Sequence, residues 1–280
     1  MTQTQEKQYK IFVLYHGKCM DGTGAHYAAS KKFGDQAKYI PVFYNEPLPL
    51  IPDGSEVYIL DFAYDRATLE ALNARVAKLI VLDHHKTHQE DLKGLNYAYF
   101  DMNRSGAVLA WQYFFPDIDP PRTLLRVQDR DLWRWQYKDT KDVFNALDIA
   151  GDDFSVWDWA EKNFEAVKGK GAVITEYQEI KIERQVQPKN IRFTTFRGVK
   201  VAVVNNDSYI SEIGARIVQD HPEVDCYLGY RINPDGKLYV SLRSRKDFDC
   251  TPLARQLGGG GHAQAAGATA SMDILKELYT

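Results

Sequence analysis

Three strand-like runs early in the chain are each followed by side chains that can bind a metal ion or move a proton. The runs cover residues 11–15, 57–60 and 78–82, and the side chains that follow them are His16, Asp61, Asp83, His84 and His85. Short apolar runs rich in branched residues are typical of buried strands. Because ligands bind beyond the carboxyl ends of the strands in an open parallel sheet, we expect these side chains to converge on one site.

The residue types at these strand ends favour a divalent cation. Cys19 and Asp21 lie in the loop after the first run and add one thiol and one carboxylate. A set of oxygen and imidazole ligands favours a site for Mn²⁺, Mg²⁺ or iron over a structural, cysteine-rich zinc site. Phosphodiester hydrolysis with two ions requires a carboxylate that bridges them, and Asp61 is our candidate. Another acid, Asp131 or Asp129, is expected from an apolar stretch further along, unless it forms an ordinary surface ion pair.

A glycine run near the end of the chain indicates a second site, for an anion. Gly258 to Gly261 are consecutive glycines, and His262 and an alanine-rich stretch follow, which we interpret as the start of a helix. Glycines let a ligand approach the backbone, and a helix N-terminus offers N–H groups to a phosphate. Arg243 and Ser244 end a strand-like run with three cations, and guanidinium binds phosphate bidentately. A flexible linker and a solvated charged face are the alternatives.

The pattern of the first half predicts the elements that must position the metal ligands. Strand-like and helix-like segments alternate up to about residue 101, which predicts right-handed crossovers and a parallel sheet. Residues 105–159 are mostly helical in pattern, with one helix over 123–135. Its aromatic cluster, Trp133, Trp135 and Tyr137, is expected to pack in the core rather than to stack on bases.

The second half predicts a connector and a smaller domain. Residues 161–187 are highly charged, with apolar residues at helical spacing, and predict a helical connector. The strands expected after it lie near 191–196, 199–204, 224–232 and 237–242, with a helix near 208–220. The segment 233–236, Asn-Pro-Asp-Gly, is a strong turn that makes the last two of these strands antiparallel.

The composition is that of an ordinary globular protein. The 280 residues are 44% hydrophobic and 26% charged, and the net charge is −3. This length predicts two domains, and the charge excludes a general polyanion binder, so nucleic-acid contacts must come from local patches. Three widely spaced cysteines without a signal-like start predict a reducing cytoplasm. No apolar run approaches the roughly 20 residues of a membrane span.

These motifs together resemble those of the DHH phosphoesterases. Leu82-Asp83-His84-His85 resembles their name-giving motif, and Arg243-Ser244 and the segment from Gly259 to Gly267 resemble the substrate-binding motifs of their DHHA1 domain. The resemblance covers nearly the whole chain. It implies an α/β, bilobed enzyme with a parallel-sheet DHH domain at 1–160, a helical linker at 161–188 and a smaller mixed α/β DHHA1 domain at 189–280. The compact size of the chain and its DHHA1 ending look most similar to those of the oligoribonuclease branch. This branch includes NrnA- and NrnB-type enzymes, which are related to the RecJ exonuclease.

The resemblance also assigns roles to individual residues. By motif, the metal ligands are His16, Cys19, Asp21, Asp61, His84 and either Asp131 or Asp129. The resemblance implies that His85 contacts the scissile phosphate and that Asp83 supports the histidines, and with Asp61 and His84 they form the expected catalytic set. The substrate's terminal phosphate would be bound by Arg243, Ser244, Gly259, Gly260, Gly261 and His262. Cys19 departs from the pattern because the family usually has an aspartate there. Three alternatives stay open: one metal site is weaker, it uses the thiolate, or Cys19 is a small buried loop residue without a metal role.

The expected function is hydrolysis of short single-stranded RNA or DNA to 5′-mononucleotides, with two Mn²⁺ ions as cofactor and Mg²⁺ or iron as alternatives. A phosphatase for 3′-phosphoadenosine 5′-phosphate and a cyclic-dinucleotide phosphodiesterase stay open as alternative enzymes. The rival class is a non-catalytic nucleic-acid-binding module, which the departure at Cys19 keeps open and the intact Asp61, Asp83, His84 and His85 argue against. The expected partner is an oligonucleotide or small nucleotide, with no membrane and with a homodimer left open.

Overall fold

The runs that precede the candidate ligands lie side by side in one sheet. The structure, a computed structural model, describes residues 8–44 and 46–280. The strands of this sheet are β1 (Ile11–His16), β2 (Ala37–Val42), β3 (Glu56–Leu60), β4 (Lys78–Asp83) and β5 (Ala98–Phe100), in the order β2-β1-β3-β4-β5. Every neighbouring pair is parallel, so the predicted parallel sheet is confirmed. The carboxyl ends of β1, β3 and β4 therefore share one edge.

Helices cover both faces of this sheet. They are α1 (Met20–Phe33), α2 (Arg66–Asn73), α3 (Lys86–Gln89), α4 (Gly106–Phe114), α5 (Arg122–Asp131), α6 (Thr140–Ala150), α7 (Phe154–Lys162) and α8 (Phe164–Gln185), with 3₁₀ turns at Gly34–Gln36 and Pro188–Asn190. Leu60 and Leu82 belong to one buried apolar cluster, whereas their neighbours Ile59 and Val81 belong to another. Successive strand residues point to opposite faces, so the sheet has a core on each side. In the described part of the chain, no helix is long and apolar enough to cross a membrane.

The helical pattern predicted after residue 105 is confirmed, but one helix is shorter than expected. Helix α5 ends at Asp131 instead of continuing to Trp135. The reason is local: Trp133 and Trp135 both have φ near 55°, a left-handed conformation that cannot continue a right-handed helix. The expected connector is helical as α8. The chain divides into the units Met1–Thr175 and Glu176–Thr280, so the division falls inside α8, and the predicted limits at 160 and 189 stay predictions.

The second unit contains a mixed six-stranded sheet, as expected for the smaller domain. Its strands are β6 (Arg192–Phe196), β7 (Val199–Asn205), β8 (Cys226–Ile232), β9 (Leu238–Ser244), β10 (Gly260–His262) and β11 (Ala265–Ala270), in the order β10-β11-β9-β8-β7-β6. Its helices are α9 (Ile210–Asp220), α10 (Thr251–Gln256) and α11 (Ile274–Tyr279). Only β7 and β8 are parallel, and β8 and β9 form the antiparallel pair predicted from the turn at 233–236.

The alanine-rich stretch after the glycine run is a strand, so its prediction as a helix is wrong. Strand β11 pairs with β9 over six residues and with β10 on its other side. Ala266, Ala268 and Ala270 are buried in alternation, which is the period of a strand. Alanine's helix preference is worth only tenths of a kcal/mol per residue, about 0.7 at most over ordinary residues. Pairing on both sides overrides that preference.

Candidate metal centre

His84 lies at the centre of a buried group of carboxylates beyond the end of β4. Its Nε2 atom is 3.1 Å from Asp61 Oδ1, 3.4 Å from Asp21 Oδ2 and 3.6 Å from Asp131 Oδ2. The side chains of His84, Asp61 and Asp21 are each 1% exposed. The predicted convergence is therefore present in the structure: the ends of β3 and β4 and the helices α1 and α5 bring these four residues together.

Asp61 connects two sets of potential ligands. While its Oδ1 faces His84, its Oδ2 lies 3.4 Å from Nδ1 of His16 at the end of β1. Among the described residues of the first unit, potential ligand atoms form two groups, each within 4.8 Å: one is Asp21, His84 and Asp131, and the other is His16, Asp61 and His85. The Asp61 backbone has φ near 56°, an uncommon conformation for a residue that is not glycine. Local strain of this kind clusters at functional sites, where the surrounding structure holds the side chain in place.

Asp83 orients the second histidine of the motif. Its Oδ1 atom accepts hydrogen bonds from the backbone N–H groups of His84, at 2.8 Å, and His85, at 3.3 Å. The same oxygen lies 2.7 Å from Nδ1 of His85. The carboxylate thus fixes the turn after β4 and the ring of His85 together, and the supporting role that the resemblance implied stays a prediction.

The electrostatics of the centre favour cations. Burial and the nearby carboxylates Asp61 and Asp131 raise the pKa of Asp21 well above its ordinary value. Burial likewise raises the pKa of Asp131. Burial alone would lower the pKa of His84, but its hydrogen bond to Asp61 and the charge of Asp131 raise it to about 10. Carboxylates crowded in a poorly solvated site compete for positive charge, and protons or metal ions are the two ways of supplying it.

Buried ligand atoms without hydrogen bonds are a second indication that this centre binds divalent ions. Asp61 Oδ2, Asp83 Oδ2 and His16 Nδ1 are buried atoms that make no hydrogen bond within the described part of the chain. Asp61 Oδ2 and His16 Nδ1 lie 3.4 Å apart without a hydrogen bond between them. Buried polar atoms are nearly always hydrogen-bonded, so unbonded atoms at one edge indicate a partner of another kind. Oxygen and imidazole donors are those of Mn²⁺ or Mg²⁺ sites. The residues therefore fit a metal centre.

Helix α4 supports the centre through its first turn, which sequence reasoning missed. The backbone N–H of Gly106 donates to Asp21 Oδ2 at 2.5 Å, and that of Ala107 donates to Asp21 Oδ1 at 3.0 Å. Asp21 is thus held by the positive end of a helix dipole. Ser105, at the N-cap, followed by Gly106 was the available sequence signal, but the contact joins residues 85 positions apart and no local pattern shows it.

The structure separates the two candidate acids of α5. Asp131 faces His84, whereas the buried Asp129 turns to the loop that follows the helix. Asp129 Oδ1 accepts the backbone N–H of Gln136 at 2.9 Å, and Oδ2 accepts that of Tyr137 at 3.2 Å and the hydroxyl of Thr140. Since both oxygens are occupied by the loop, Asp131 is the better candidate ligand and Asp129 is a structural anchor.

Cys19 lies beside the centre but outside both ligand groups. It is the N-cap residue of α1, and its carbonyl oxygen accepts the N–H and the hydroxyl of Thr23. Burial and the carboxylates of Asp61, Asp131 and Asp21 raise the pKa of its thiol well above the ordinary value. Because Cys19 belongs to neither ligand group, it has less geometric support as a ligand than Asp21, Asp61 or His84.

The aromatic ring of Tyr44 also borders the centre. Its centroid lies 5.0 Å from that of His16 and 6.2 Å from that of His85, edge-on to both rings. Tyr44 is 42% exposed. Sequence reasoning missed Tyr44, because no local pattern distinguishes a residue after a strand that faces a site from one that faces solvent.

In the second unit, Arg243 and Ser244 are held by different contacts. Arg243 donates from Nη1 to Ser241 Oγ at 3.1 Å and to the carbonyl of Leu242 at 2.7 Å, and from Nη2 to Ser211 Oγ at 2.6 Å. Ser244 donates to the carbonyl of Phe248 at 2.6 Å. Ser244 thus stabilises the loop after β9, and Arg243 is the residue of this pair with a cationic group on the sheet surface.

The glycines form an edge strand rather than the start of a helix. A Cβ on Gly259 would lie 1.9 Å from the carbonyl oxygen of Gly267, and one on Gly261 would lie 2.6 Å from that of Ala265. Close backbone approach across the β10–β11 hairpin therefore requires these glycines. In this hairpin His262 is opposite Ala265, which is opposite Arg243 in β9. Directly opposite residues share a face, so the cation and the histidine lie on one face, about 10 Å apart between Cα atoms.

A cavity of about 590 Å³ lies at the other end of this sheet. Its lining includes Asn205 at the end of β7 with Asn206 after it, and Arg231 near the end of β8 with Asn233 after that strand. None of the residues predicted to bind phosphate lines it. The expected phosphate site is therefore a surface of the sheet near β10.

Sequence comparison places the second unit in a known domain family. The DHHA1 domain profile matches residues 198–279, which extend nearly from β7 to the end of α11. The chain is 30% identical to an uncharacterized protein, R106, of Acanthamoeba polyphaga mimivirus. That match covers 91% of this chain and 66% of the viral protein, so the chain spans slightly less than two thirds of that relative. It is 28% identical to the oligoribonuclease NrnB of Bacillus subtilis, over 96% of this chain and 75% of NrnB.

Solved structures share the fold. A pGpG-specific phosphodiesterase, PggH, from Vibrio cholerae superposes with a TM-score of 0.50 at 12% identity, over 97% of this chain and 96% of that one. An exopolyphosphatase-related protein from Bacteroides fragilis superposes with a TM-score of 0.51 at 14% identity, over 96% and 89%. Residues 198–279 therefore form a DHHA1 domain, which follows a unit with a parallel sheet and clustered acids and histidines at its carboxyl edge. Along most of its length the chain is similar to an oligoribonuclease, and it shares its fold with the Vibrio phosphodiesterase and the Bacteroides protein.

Proposed function

We propose that this chain is a metal-dependent phosphoesterase that hydrolyses short oligonucleotides to 5′-mononucleotides, with Mn²⁺ as its cofactor. The observation that carries the proposal is the position of Asp61, whose two oxygens face His84 on one side and His16 on the other. A carboxylate between two ligand sets is what a pair of ions roughly 3.5–4 Å apart requires.

The residues divide between the two positions. Asp21, His84 and Asp131 would hold one ion together with Oδ1 of Asp61, and His16 would hold the other together with Oδ2. When bound, such ions supply Lewis-acid stabilisation of the charge that develops on the phosphoryl oxygens. We assign His85 to the scissile phosphate, because Asp83 holds its Nδ1 and thereby sets the direction of Nε2.

The protein groups around the ions fix geometry before the substrate arrives. The N–H groups of Gly106 and Ala107 orient the carboxylate of Asp21, and Asp83 orients the ring of His85. Preorganised donors cost no rearrangement during reaction, which is why they stabilise charge better than water does. We further propose that Arg243 and His262, on one face of the second sheet, bind the substrate's terminal phosphate.

Two similar proteins act on short nucleotides, which supports short oligonucleotides as the substrate class of this chain. NrnB is an oligoribonuclease, and the Vibrio protein is specific for the dinucleotide pGpG. Both substrates are short and single-stranded, and a phosphate at one end suits a cationic surface. We therefore propose di- to pentanucleotides as substrates in preference to long polymers.

A hydrolysis screen tests the proposal. The purified protein is incubated with Mn²⁺ and di- to pentanucleotides of RNA and DNA, cyclic dinucleotides or 3′-phosphoadenosine 5′-phosphate, and the products are separated by chromatography. We expect 5′-mononucleotides from the short oligonucleotides, and a loss of at least roughly a hundredfold in Asp61→Asn, since even residues behind metal ligands contribute 10–100-fold. Absence of oligonucleotide hydrolysis, or near-normal turnover by folded Asp61→Asn, would contradict the proposal. Faster hydrolysis of either small nucleotide would reassign the substrate.

A further inference from the structure

Two tryptophans form an unusual turn directly after α5. Trp133 and Trp135 both have φ near 55°, and their rings meet edge to face with centroids 4.8 Å apart. A bulky residue in the left-handed region is an outlier that the surrounding structure must hold in place, and two within three residues are rarer still. The expectation that this cluster packs in the core is wrong, because Trp133 is 37% exposed and Tyr137 is 38% exposed.

A buried carboxylate imposes this conformation. Asp129 is 2% exposed, and it accepts hydrogen bonds from the backbone N–H groups of Gln136 and Tyr137 and from the hydroxyl of Thr140. Its carbonyl oxygen also accepts the backbone N–H of Arg134 at 2.9 Å. The loop is thus tied to one side chain at several points. Such a scaffold holds the indoles in place, so little entropy would be lost when a planar ligand binds to them.

The turn borders the candidate metal centre and carries positive charge. Trp133 follows Asp131 by two residues, so their Cα atoms are at most about 7 Å apart, and Asp131 Oδ2 is 3.6 Å from His84 Nε2. The Arg130 guanidinium lies 5.5 Å from the centroid of Trp133, and the Lys141 ammonium lies 5.8 Å from that of Trp135. Exposed aromatic rings interleaved with cations are the common features of sites for single-stranded nucleic acid.

We infer that this turn is a nucleobase-stacking site for the nucleotide whose phosphate lies at the metal centre. Trp133, the more exposed ring, stacks on the base, and Trp135 braces it from the side. This inference rests on the proposed function for its substrate and names the part of that substrate that the first unit recognises. Because every base has a π-face, the contact predicts tolerance of base identity rather than sequence preference.

The chain offers a matched control for the test. Trp159 in α7 is 39% exposed and has the Lys170 ammonium 4.5 Å from its ring centroid, so its exposure and cationic neighbour resemble those of Trp133. It follows Asp131 by 28 residues and belongs to no element of the site. Substitution of Trp159 therefore reports the general effect of removing an exposed, cation-bound indole.

The first arm measures binding without hydrolysis. Adenosine 5′-monophosphate is titrated against the full chain with Mn²⁺ while tryptophan fluorescence is followed, and ribose 5-phosphate serves as the ligand without a base. We expect adenosine monophosphate, and not ribose phosphate, to quench the fluorescence of wild type and Trp159→Phe, with the quenching absent from Trp133→Phe. By calorimetry, Trp133→Ala should weaken adenosine monophosphate binding roughly 5- to 150-fold, the range of one base–aromatic stack. Unchanged quenching in Trp133→Phe, or equal weakening for both ligands, would overturn the inference.

The second arm connects the turn to catalysis. KM and kcat are measured for a 5′-phosphorylated diadenylate and for two abasic analogues of it. One analogue lacks the first base, and the other lacks the second. Trp133→Ala should raise KM for the intact dinucleotide and have little effect on KM for one of the two abasic analogues. Trp133→Tyr, which keeps an aromatic ring, should largely restore the wild-type KM. The same penalty on all three substrates would overturn the inference. Quenching that depends on Trp133 in a protein that hydrolyses no oligonucleotide would support the base site and contradict the proposed function.

Discussion

Gly106 lies against Asp61 so closely that a Cβ on the glycine would be 2.4 Å from the Asp61 Cβ. Through its backbone N–H, the same glycine donates a 2.5 Å hydrogen bond to Asp21. One residue at the start of α4 therefore touches two carboxylates of the centre, one after β3 and one in α1. A side chain at this position would have to displace the carboxylate that we propose to bridge the ions.

Gly106→Ala should reduce both metal content and activity, about tenfold or more, while the protein stays folded. The added methyl group overpacks the site, which costs typically about 1–3 kcal/mol of stability and shifts backbone. Gly169→Ala in α8 is the matched control, because a Cβ there meets nothing within 4 Å. That control should gain roughly 0.5–1 kcal/mol from the better helix propensity of alanine. Elemental analysis measures the metal content of each variant, and thermal unfolding shows whether the variant is folded. Normal metal content in a folded Gly106→Ala protein would exclude a role of Gly106 in positioning the carboxylates.

Cys19→Asp should keep or raise Mn²⁺-dependent activity. Aspartate supplies the carboxylate that the family pattern has at this position. Cys19 is also the N-cap of α1 without a side-chain capping hydrogen bond, and aspartate is among the best N-cap residues, worth typically about 1 kcal/mol over a non-capping one. Turnover, bound Mn²⁺ and melting temperature are compared with those of Cys19→Ser. A folded Cys19→Asp protein that loses metal and activity together would show that the thiol itself is needed.

His262→Ala should raise KM for a dinucleotide with a 5′-phosphate and leave metal content unchanged. A charge-assisted hydrogen bond to phosphate is worth roughly 1.5–3 kcal/mol, so the increase should be about tenfold or more. The effect should shrink for the same dinucleotide without its 5′-phosphate, since the lost contact was made to that group. Equal penalties on the two substrates, or loss of bound Mn²⁺, would rule out this assignment.

Stability should fall in acid through His26. This residue packs against Tyr15, Tyr39 and Phe154, and burial lowers its pKa to about 4, with partial compensation by Asp152. Because the unfolded chain takes up the proton at higher pH than the folded one, the contribution to stability is complete above about pH 6.5. It is lost as the pH falls from there towards 4, by at most about 1.4 kcal/mol per pH unit.

Denaturant unfolding of wild type and His26→Phe between pH 7 and 4.5 measures this loss. The other titrating groups are common to both proteins, so the difference between the two curves isolates His26. The wild type should lose more stability than the variant across this interval. Parallel curves would mean that His26 does not titrate differently on folding.

Local patterns predicted the strands well and the tertiary contacts poorly. The runs that end at His16, Asp61 and Asp83 are apolar and branched, and parallel pairing of such strands leaves few ways to arrange their ends. Convergence at one edge was therefore predictable. The support from Gly106 was not, because it depends on a helix 85 residues away from Asp21.

Two wrong predictions have the same physical origin. Residues 265–270 were expected to be helical because alanine favours helices, but strand pairing with β9 and β10 determines their structure. Trp133 and Trp135 were expected in a core helix, but hydrogen bonds to the buried Asp129 impose left-handed backbone. In the first case the partners are strands outside the segment, and in the second they are loop residues that bind a side chain inside the predicted helix. In both cases these contacts outweigh the local preference, and a sequence pattern does not show them.

The crowded acids also affect how much folded protein a cell maintains. Burial beside Asp61 raises the pKa of Asp21 and of Asp131, so the ionised forms of these two acids oppose folding until positive charge arrives. Anything that binds only the folded chain stabilises it by mass action, about 2.7 kcal/mol at a hundred times the dissociation constant. A difference of 1–2 kcal/mol changes the abundance of a marginally stable protein several-fold, because chaperones and proteases act on the unfolded fraction. Divalent-ion supply would therefore set the cellular lifetime of this chain as well as its turnover.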